Sequence, residues 1–104
     1  MSVRSSHLNR VRDLRELAQH FYALKDALRL EMLALLADRE ECTVSEMAAA
    51  LKKSQPLVSW HLRRLKGAGV VKIRRAGREV YCSLDRDSIA QNYQVFLSLI
   101  QPSR

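Results

Sequence analysis

The chain is short of the residues that interrupt, cross-link or anchor a fold. Three glycines and two prolines in 104 residues leave no Pro/Gly/Ser linker, and neither a low-complexity tract nor an internal repeat is visible. One domain spanning 1–104 is the expectation. Two cysteines, Cys42 and Cys82, are too few for a disulfide framework. Apolar runs stop after a few residues, which excludes a membrane span. The stretch after Met1 is polar and charged without an apolar segment, so no export signal is expected and the default compartment is the cytoplasm. His7, His20 and His61 are scattered. With no glycine-rich phosphate loop, acid–base cluster or ligand spacing beside them, neither an enzyme nor a cofactor is expected.

What is present is an ordinary globular balance, 47% hydrophobic and 28% charged, with a concentrated excess of positive charge. The net charge is +7. Lys53 to Arg86 holds nine bases and two acids, so this third of the chain carries the whole excess and the remainder is neutral. A basic surface kept only for solubility would scatter that charge; a binder of a polyanion would gather it.

Periodicity supplies the elements. Leu8, Val11, Leu14, Leu17, Ala18, Phe21 and Leu24 recur at three- and four-residue steps and predict a first helix over 8–24, after a loose basic tail over 1–6. Asp26 to Ala37 has Leu28, Met32, Leu35 and Leu36 on one side with Leu30 and Leu33 beside them, a face broad enough for a helix buried on most sides. Thr43 and Glu46 form a capping-box pair, with Cys42 and Met47 at the staple positions around it. The third helix therefore starts at Val44. Ser54 caps a fourth, with Pro56 in its first turn and Val58, Leu62 and Leu65 as the inward stripe, ended by Gly67-Ala68-Gly69.

The period then falls to two. Val70, Val71 and Ile73 predict a strand, Arg75-Ala76-Gly77-Arg78 a turn, and Val80, Cys82 and Leu84 a returning strand. Asp85 caps a last helix over 86–100. The fold class expected is mostly α with a two-stranded β-wing over 70–84, a winged helix-turn-helix with helix-turn-helix at 44–66.

That arrangement points to double-stranded DNA. With Val58, Leu62 and Leu65 inward, Pro56, Leu57, Trp60, Arg63 and Arg64 face outward and Ser59 lies at the flank. Gln55 and Ser59, with the capping Ser54 before them, lie near the end that usually meets base edges; Gln can pair bidentately with adenine, and Ser can bond to several bases or a phosphate. Arg63, Arg64 and Lys66 suit phosphates. Arg74, Arg75 and Arg78 would make a cationic wing tip for a minor groove or phosphate row. Trp60 either packs under the wing or meets DNA, and His61, beside the inward stripe, reads as a packed histidine.

Three segments carry a family resemblance: Ser54-Gln55-Pro56-Leu57-Val58-Ser59-Trp60-His61-Leu62-Arg63-Arg64-Leu65, then Ala68-Gly69-Val70-Val71, then Arg74-Arg75-Ala76-Gly77-Arg78-Glu79-Val80-Tyr81-Cys82-Ser83-Leu84. Together they resemble the ArsR/SmtB family of repressors. Phe21 to Leu30 is similar to the family's Leu-Ser-Asp-Pro-Thr-Arg-Leu lead-in to its second helix. The resemblance implies a homodimer built on the first and last helices, a palindromic operator, and release by a small effector. Leu8, Val11, Leu14, Leu17 and Phe21, with Ile89, Tyr93, Phe96, Leu97 and Ile100, would then form the dimer interface.

The chain departs from the family at its sensing sites. Thr43-Val44-Ser45 stands where the family's Cys-Val-Cys metal box would fall, and hydroxyls are poor ligands for soft ions. Residues 85–101 contain no histidine for the other familiar metal site. Neither the second nor the last helix has a cysteine of the kind found in thiol-sensing members, which leaves Cys42 and Cys82 as the possible redox pair. The expectation is a DNA-binding regulator with an unidentified, non-metal effector. A non-specific architectural binder and a thiol-responsive repressor are the alternatives.

Overall fold

The computed structural model describes the backbone of residues 3–102 and the side chains of 12–102. Eight elements follow in order: α1 (Val3–Ala23), α2 (Ala27–Ala37), β1 (Cys42–Thr43), α3 (Val44–Leu51), α4 (Gln55–Gly67), β2 (Val71–Ala76), β3 (Glu79–Leu84) and α5 (Arg86–Ile100). The expected loose tail over 1–6 is corrected from Val3 onward, because α1 already begins there. No glycine or proline interrupts the chain before Ala23, so a helix nucleated on its docked half can propagate back. The side chains of Leu8 and Val11 lie outside the described residues.

α2, α3, α4 and α5 each begin at a side-chain cap. The Asp26 carboxylate accepts the Arg29 N–H at 3.2 Å, and the Asp85 carboxylate accepts the Ser88 N–H at 3.2 Å. At α3 the capping box is complete: the Glu46 N–H donates to Thr43 Oγ1 (3.0 Å) and the Thr43 N–H donates back to Glu46 Oε1 (2.9 Å). Ser54 Oγ accepts the Leu57 N–H at 3.3 Å, the cap its position predicts, and its O–H remains free to donate. Between α3 and α4 the chain turns through Lys52, whose φ of 57° is left-handed.

The sheet has three antiparallel strands in the order β1-β3-β2, one more than the two-stranded wing expected. The extra strand is Cys42–Thr43, paired as Cys42↔Cys82 and Thr43↔Tyr81. Two residues are too few to show an alternating pattern, and they were legible only as the approach to a helix. The hairpin is also tighter than expected: Ala76 pairs with Glu79, leaving Gly77 and Arg78 as a two-residue turn. Gly77 has φ +61°, the sign a type II′ turn requires at its first central residue.

The core lies between α2, α3, α4 and the base of the sheet. Met32, Leu36, Cys42, Met47, Val58, Leu62, Leu65, Val70 and Cys82 are fully buried. The expectation that α2 is buried on most sides fails at Leu30, which is 49% exposed; Arg29, Met32 and Leu36 carry its buried face. α1 is tied to this body where the His20 ring donates from Nδ1 to the Ala68 carbonyl at 2.8 Å. Gly69, at φ +75°, lets the chain leave α4 for the sheet; a Cβ there would come within 2.8 Å of Ser88 Oγ.

Candidate nucleic-acid interface

α4 is amphipathic in the manner its spacing required. Val58, His61, Leu62 and Leu65 are buried, while Gln55, Pro56, Leu57, Trp60, Arg63, Arg64 and Lys66 are exposed and Ser59 is half-buried. Around the helix at 100° per residue the outward residues divide into two flanks. Gln55, Ser59 and Lys66 fall on one, Leu57, Trp60 and Arg64 on the other, and Pro56 and Arg63 lie between them.

The second flank does not face the wing. Trp60 is 40% exposed and stands edge-on to His61, with Arg64 over its ring at 4.9 Å and Arg29 at 5.5 Å. It borders a recess shared with Gln19 and Tyr22 of α1. The expected packing under the wing is therefore corrected: rotation of α4 turns this side toward α1 and α2.

The residue that fixes α4 against α2 was not singled out from sequence. Arg29 is buried; its Nε donates to His61 Nδ1 at 2.9 Å and its Nη1 donates to the Ala23 carbonyl at 3.3 Å. Accepting at Nδ1 requires His61 to be neutral with its proton on Nε2. Burial pushes the His61 pKa down and the Arg29 charge adds to this, against an opposing pull from Asp26. The only available signal was an arginine one step behind the apolar stripe of a short helix, and surface arginines look the same.

On the wing, Arg74 is not the free cation expected. Its guanidinium forms a fork with Glu41, Nε to Oε2 at 2.9 Å and Nη2 to Oε1 at 2.8 Å, and lies 4.4 Å over the Tyr81 ring. The pair holds the Glu41 carboxyl below its usual pKa. Arg75 and Arg78 are exposed at the tip, and Lys72, also exposed, joins them on β2.

Cys42 and Cys82 stand opposite each other on β1 and β3, both buried, and the Cys82 thiol donates to the Cys42 carbonyl at 3.0 Å. Burial raises both thiol pKa values, that of Cys82 to about 12. Neither is a ready thiolate, which argues against the redox pair. Among the described residues no three His, Cys, Asp or Glu side chains are grouped to hold a metal ion.

Of the proposed dimer residues, Leu17 is buried within this chain and Phe21 meets Phe96 edge-on at 5.4 Å, so part of that stripe is already used between α1 and α5. Ile89, Phe96 and Leu97 are half-buried. Leu14, Phe21, Tyr93 and Ile100 remain exposed, the last two at 55% and 59%.

The sequence pattern of bacterial regulatory proteins of the arsR family matches residues 26–72, from the α2 cap to the start of the sheet. A transcriptional repressor SmtB homolog from Synechocystis is 40% identical over 88 residues, covering 85% of this chain. The chain spans 66% of that relative's own length, and less of the next two curated relatives. Among solved structures, a homodimeric winged helix-turn-helix DNA-binding domain from Mycobacterium bovis, described as a possible ArsR-family regulator, superposes with a TM-score of 0.70. It is 29% identical, over 95% of this chain and 87% of that one. A possible transcriptional regulator for arsenical resistance is 32% identical, with a TM-score of 0.69 over 81% of this chain and 86% of that one. With the family pattern matched, a winged helix-turn-helix fold shared and these identities, the chain belongs to the ArsR family of bacterial regulatory proteins.

Proposed function

We propose that this chain is a sequence-specific DNA-binding transcriptional repressor that acts as a homodimer on a palindromic operator. The observation that carries the reading is the exposed outward face of α4, with Gln55 and Ser59 at its start and Arg63 and Lys66 beyond, flanked by Arg75 and Arg78 on the wing. Gln55 reads a base and Ser59 a base or phosphate. The cations neutralise backbone phosphates. Arg64 and Leu57 border this face, and Arg74 is held back from it by Glu41. The reading places the protein in the cytoplasm on the nucleoid, and among the described residues no helix is long and apolar enough to cross a membrane.

Dimerisation is supported by the apolar side chains left exposed on α1 and α5. No residue of α5, all of which are described, is fully buried. The Cα radius of gyration is 16.1 Å, against about 13 Å for a compact chain of this length, as expected if a second copy completes the fold. The related Mycobacterium bovis domain is homodimeric.

Fluorescence anisotropy on labelled DNA from the protein's own promoter and on a scrambled duplex, in reductant and chelator at about 0.15 M salt, tests the reading. A preference of about a thousandfold or more, with two protomers per site, is expected. Equal weak binding to both duplexes, repeated on sites recovered by genome-wide footprinting, would leave a non-specific architectural binder and overturn it.

A further inference from the structure

α1 and α4 enclose a recess of about 290 Å³, close to the lower limit of about 300 Å³ for pockets that take small organic ligands. Its walls are unusual in charge. Arg29, Arg63 and Arg64 line it with Trp60, Tyr22 and Gln19, and no carboxylate is among its lining residues. Trp60, Arg63, Arg64 and Gly67 follow the three- and four-residue steps of one α4 face, and Gln19 and Tyr22 do the same on α1. Three guanidinium groups share this lining and repel one another; the Asp26 carboxylate, which interacts with Arg29, is not among the lining residues, and an anion entering between the three relieves the repulsion. Arg29 is the built part of the site. Its Nε and Nη1 are fixed by His61 and Ala23, and Nη2 carries no hydrogen bond among the described residues.

The rings decide which anion. Trp60 and Tyr22 bring aromatic surface to the recess, with Arg64 and Arg29 over the Trp60 ring and Lys25 over the Tyr22 ring, and the recess has more room than an inorganic anion needs. A guanidinium fork matches the two oxygens of a carboxylate. We propose that this recess binds a small planar aromatic carboxylate, its ring against Trp60 and its carboxylate on Arg64 and Arg29, and that this ligand releases the operator. The second half rests on the proposed function: Arg64 borders the DNA-facing side of α4 and cannot hold the ligand and neutralise a DNA phosphate at once. Ligand and operator therefore weaken each other by the same factor.

Trp60 is the chain's one tryptophan, so its emission reports on the recess directly. The full chain is titrated with benzoate, cyclohexanecarboxylate and inorganic phosphate at fixed ionic strength, without DNA. Benzoate should give a saturable change at several-fold lower concentration than the other two. Arg64→Gln, whose side chain is exposed and whose folding is checked by circular dichroism, should weaken benzoate by roughly tenfold, and Arg64→Lys should restore only part of it. Equal responses to all three anions, a change that never saturates, or an Arg64→Gln protein that binds benzoate as before would each overturn the site. In a second arm, operator anisotropy is repeated in saturating benzoate; unchanged operator affinity would overturn the coupling. Loss of the operator reading itself would appear in ligand-free DNA binding, which the fluorescence titration does not use.

Discussion

The bond from Arg29 Nε to His61 Nδ1 joins α2 to α4 inside the fold, and its removal makes a sharp test because the two partners depend on each other. Arg29→Met keeps most of the side chain's apolar stem but leaves His61 Nδ1 buried without a donor, at about 1–3 kcal/mol. The lost bond to the Ala23 carbonyl adds about 0.5–1.5 kcal/mol, and the lost contact with the Trp60 ring about 0.5–1 kcal/mol. The expected cost is therefore about 2–5.5 kcal/mol. His61→Phe instead strands a guanidinium N–H, at about 1.5–3 kcal/mol. In the double variant neither orphan exists, so its loss should be smaller than the two single losses together by about 1–2 kcal/mol. Urea unfolding at one fixed protomer concentration reads all four proteins, because a dimer's stability varies with concentration. Losses that add within about 0.5 kcal/mol would mean that the bond does not hold α4 in place, and the reasoning would fail.

Other expectations are more quickly checked. His61 is stabilised in its neutral form by the fold, so its contribution is complete above its unfolded pKa of 6.5 and is lost as pH falls toward the lower folded value. The urea midpoint should drop between neutral and mildly acidic pH, and His61→Phe should remove that part of the drop. Cys82, pushed up to about 12, has a thiolate fraction of roughly one in ten thousand at pH 8, so iodoacetamide should label the folded chain far more slowly than the chain in urea. Rapid labelling without urea would contradict the burial. Arg63→Ala and Arg78→Ala should weaken all DNA binding and flatten its salt slope by about one each. Gln55→Ala should relax discrimination at one base by about 1–3 kcal/mol; equal losses on operator and random DNA would remove its reading role. Gly77→Ala meets no neighbouring atom but must hold φ +61°, so it should cost about 1–2 kcal/mol in the wing, measured by hydrogen exchange of β2 and β3.

The helix-turn-helix was legible because its signals are local. The Thr43 capping box, the Ser54 cap and the Val58, Leu62 and Leu65 stripe each lie within a turn or two of what they organise, and the structure has all of them. What was missed is held by partners far apart in the chain. Arg29 reaches His61 across 32 positions, Arg74 reaches Glu41 across 33, and Cys42 pairs with Cys82 across 40. Nothing in the spacing of a lone arginine says that it is buried or neutralised. The outward face of α4 was identified correctly, but not its division, because a helical wheel does not say which neighbour covers each flank. Trp60 and Arg64 turned out to face α1.

Thr43 is at once the last residue of β1 and the cap of α3. Its backbone pairs with Tyr81 in the sheet while its hydroxyl and N–H close the first turn of the helix. α3 therefore cannot tilt about its start without unzipping a strand, and the wing cannot twist without dragging the helix. Together with α4, which the core clamps against α3, these parts form a stiff plate with no joint inside it. α1 and α5 lie outside this plate, and no residue of α5 is fully buried. In the proposed dimer, a signal arriving at those helices would alter the distance and angle between the two plates without re-aiming α4 within its own plate. Affinity for a two-half-site operator would then be governed by spacing, as the span of a pair of callipers is, and duplexes with base pairs added or removed between half-sites would reveal which spacing each state prefers.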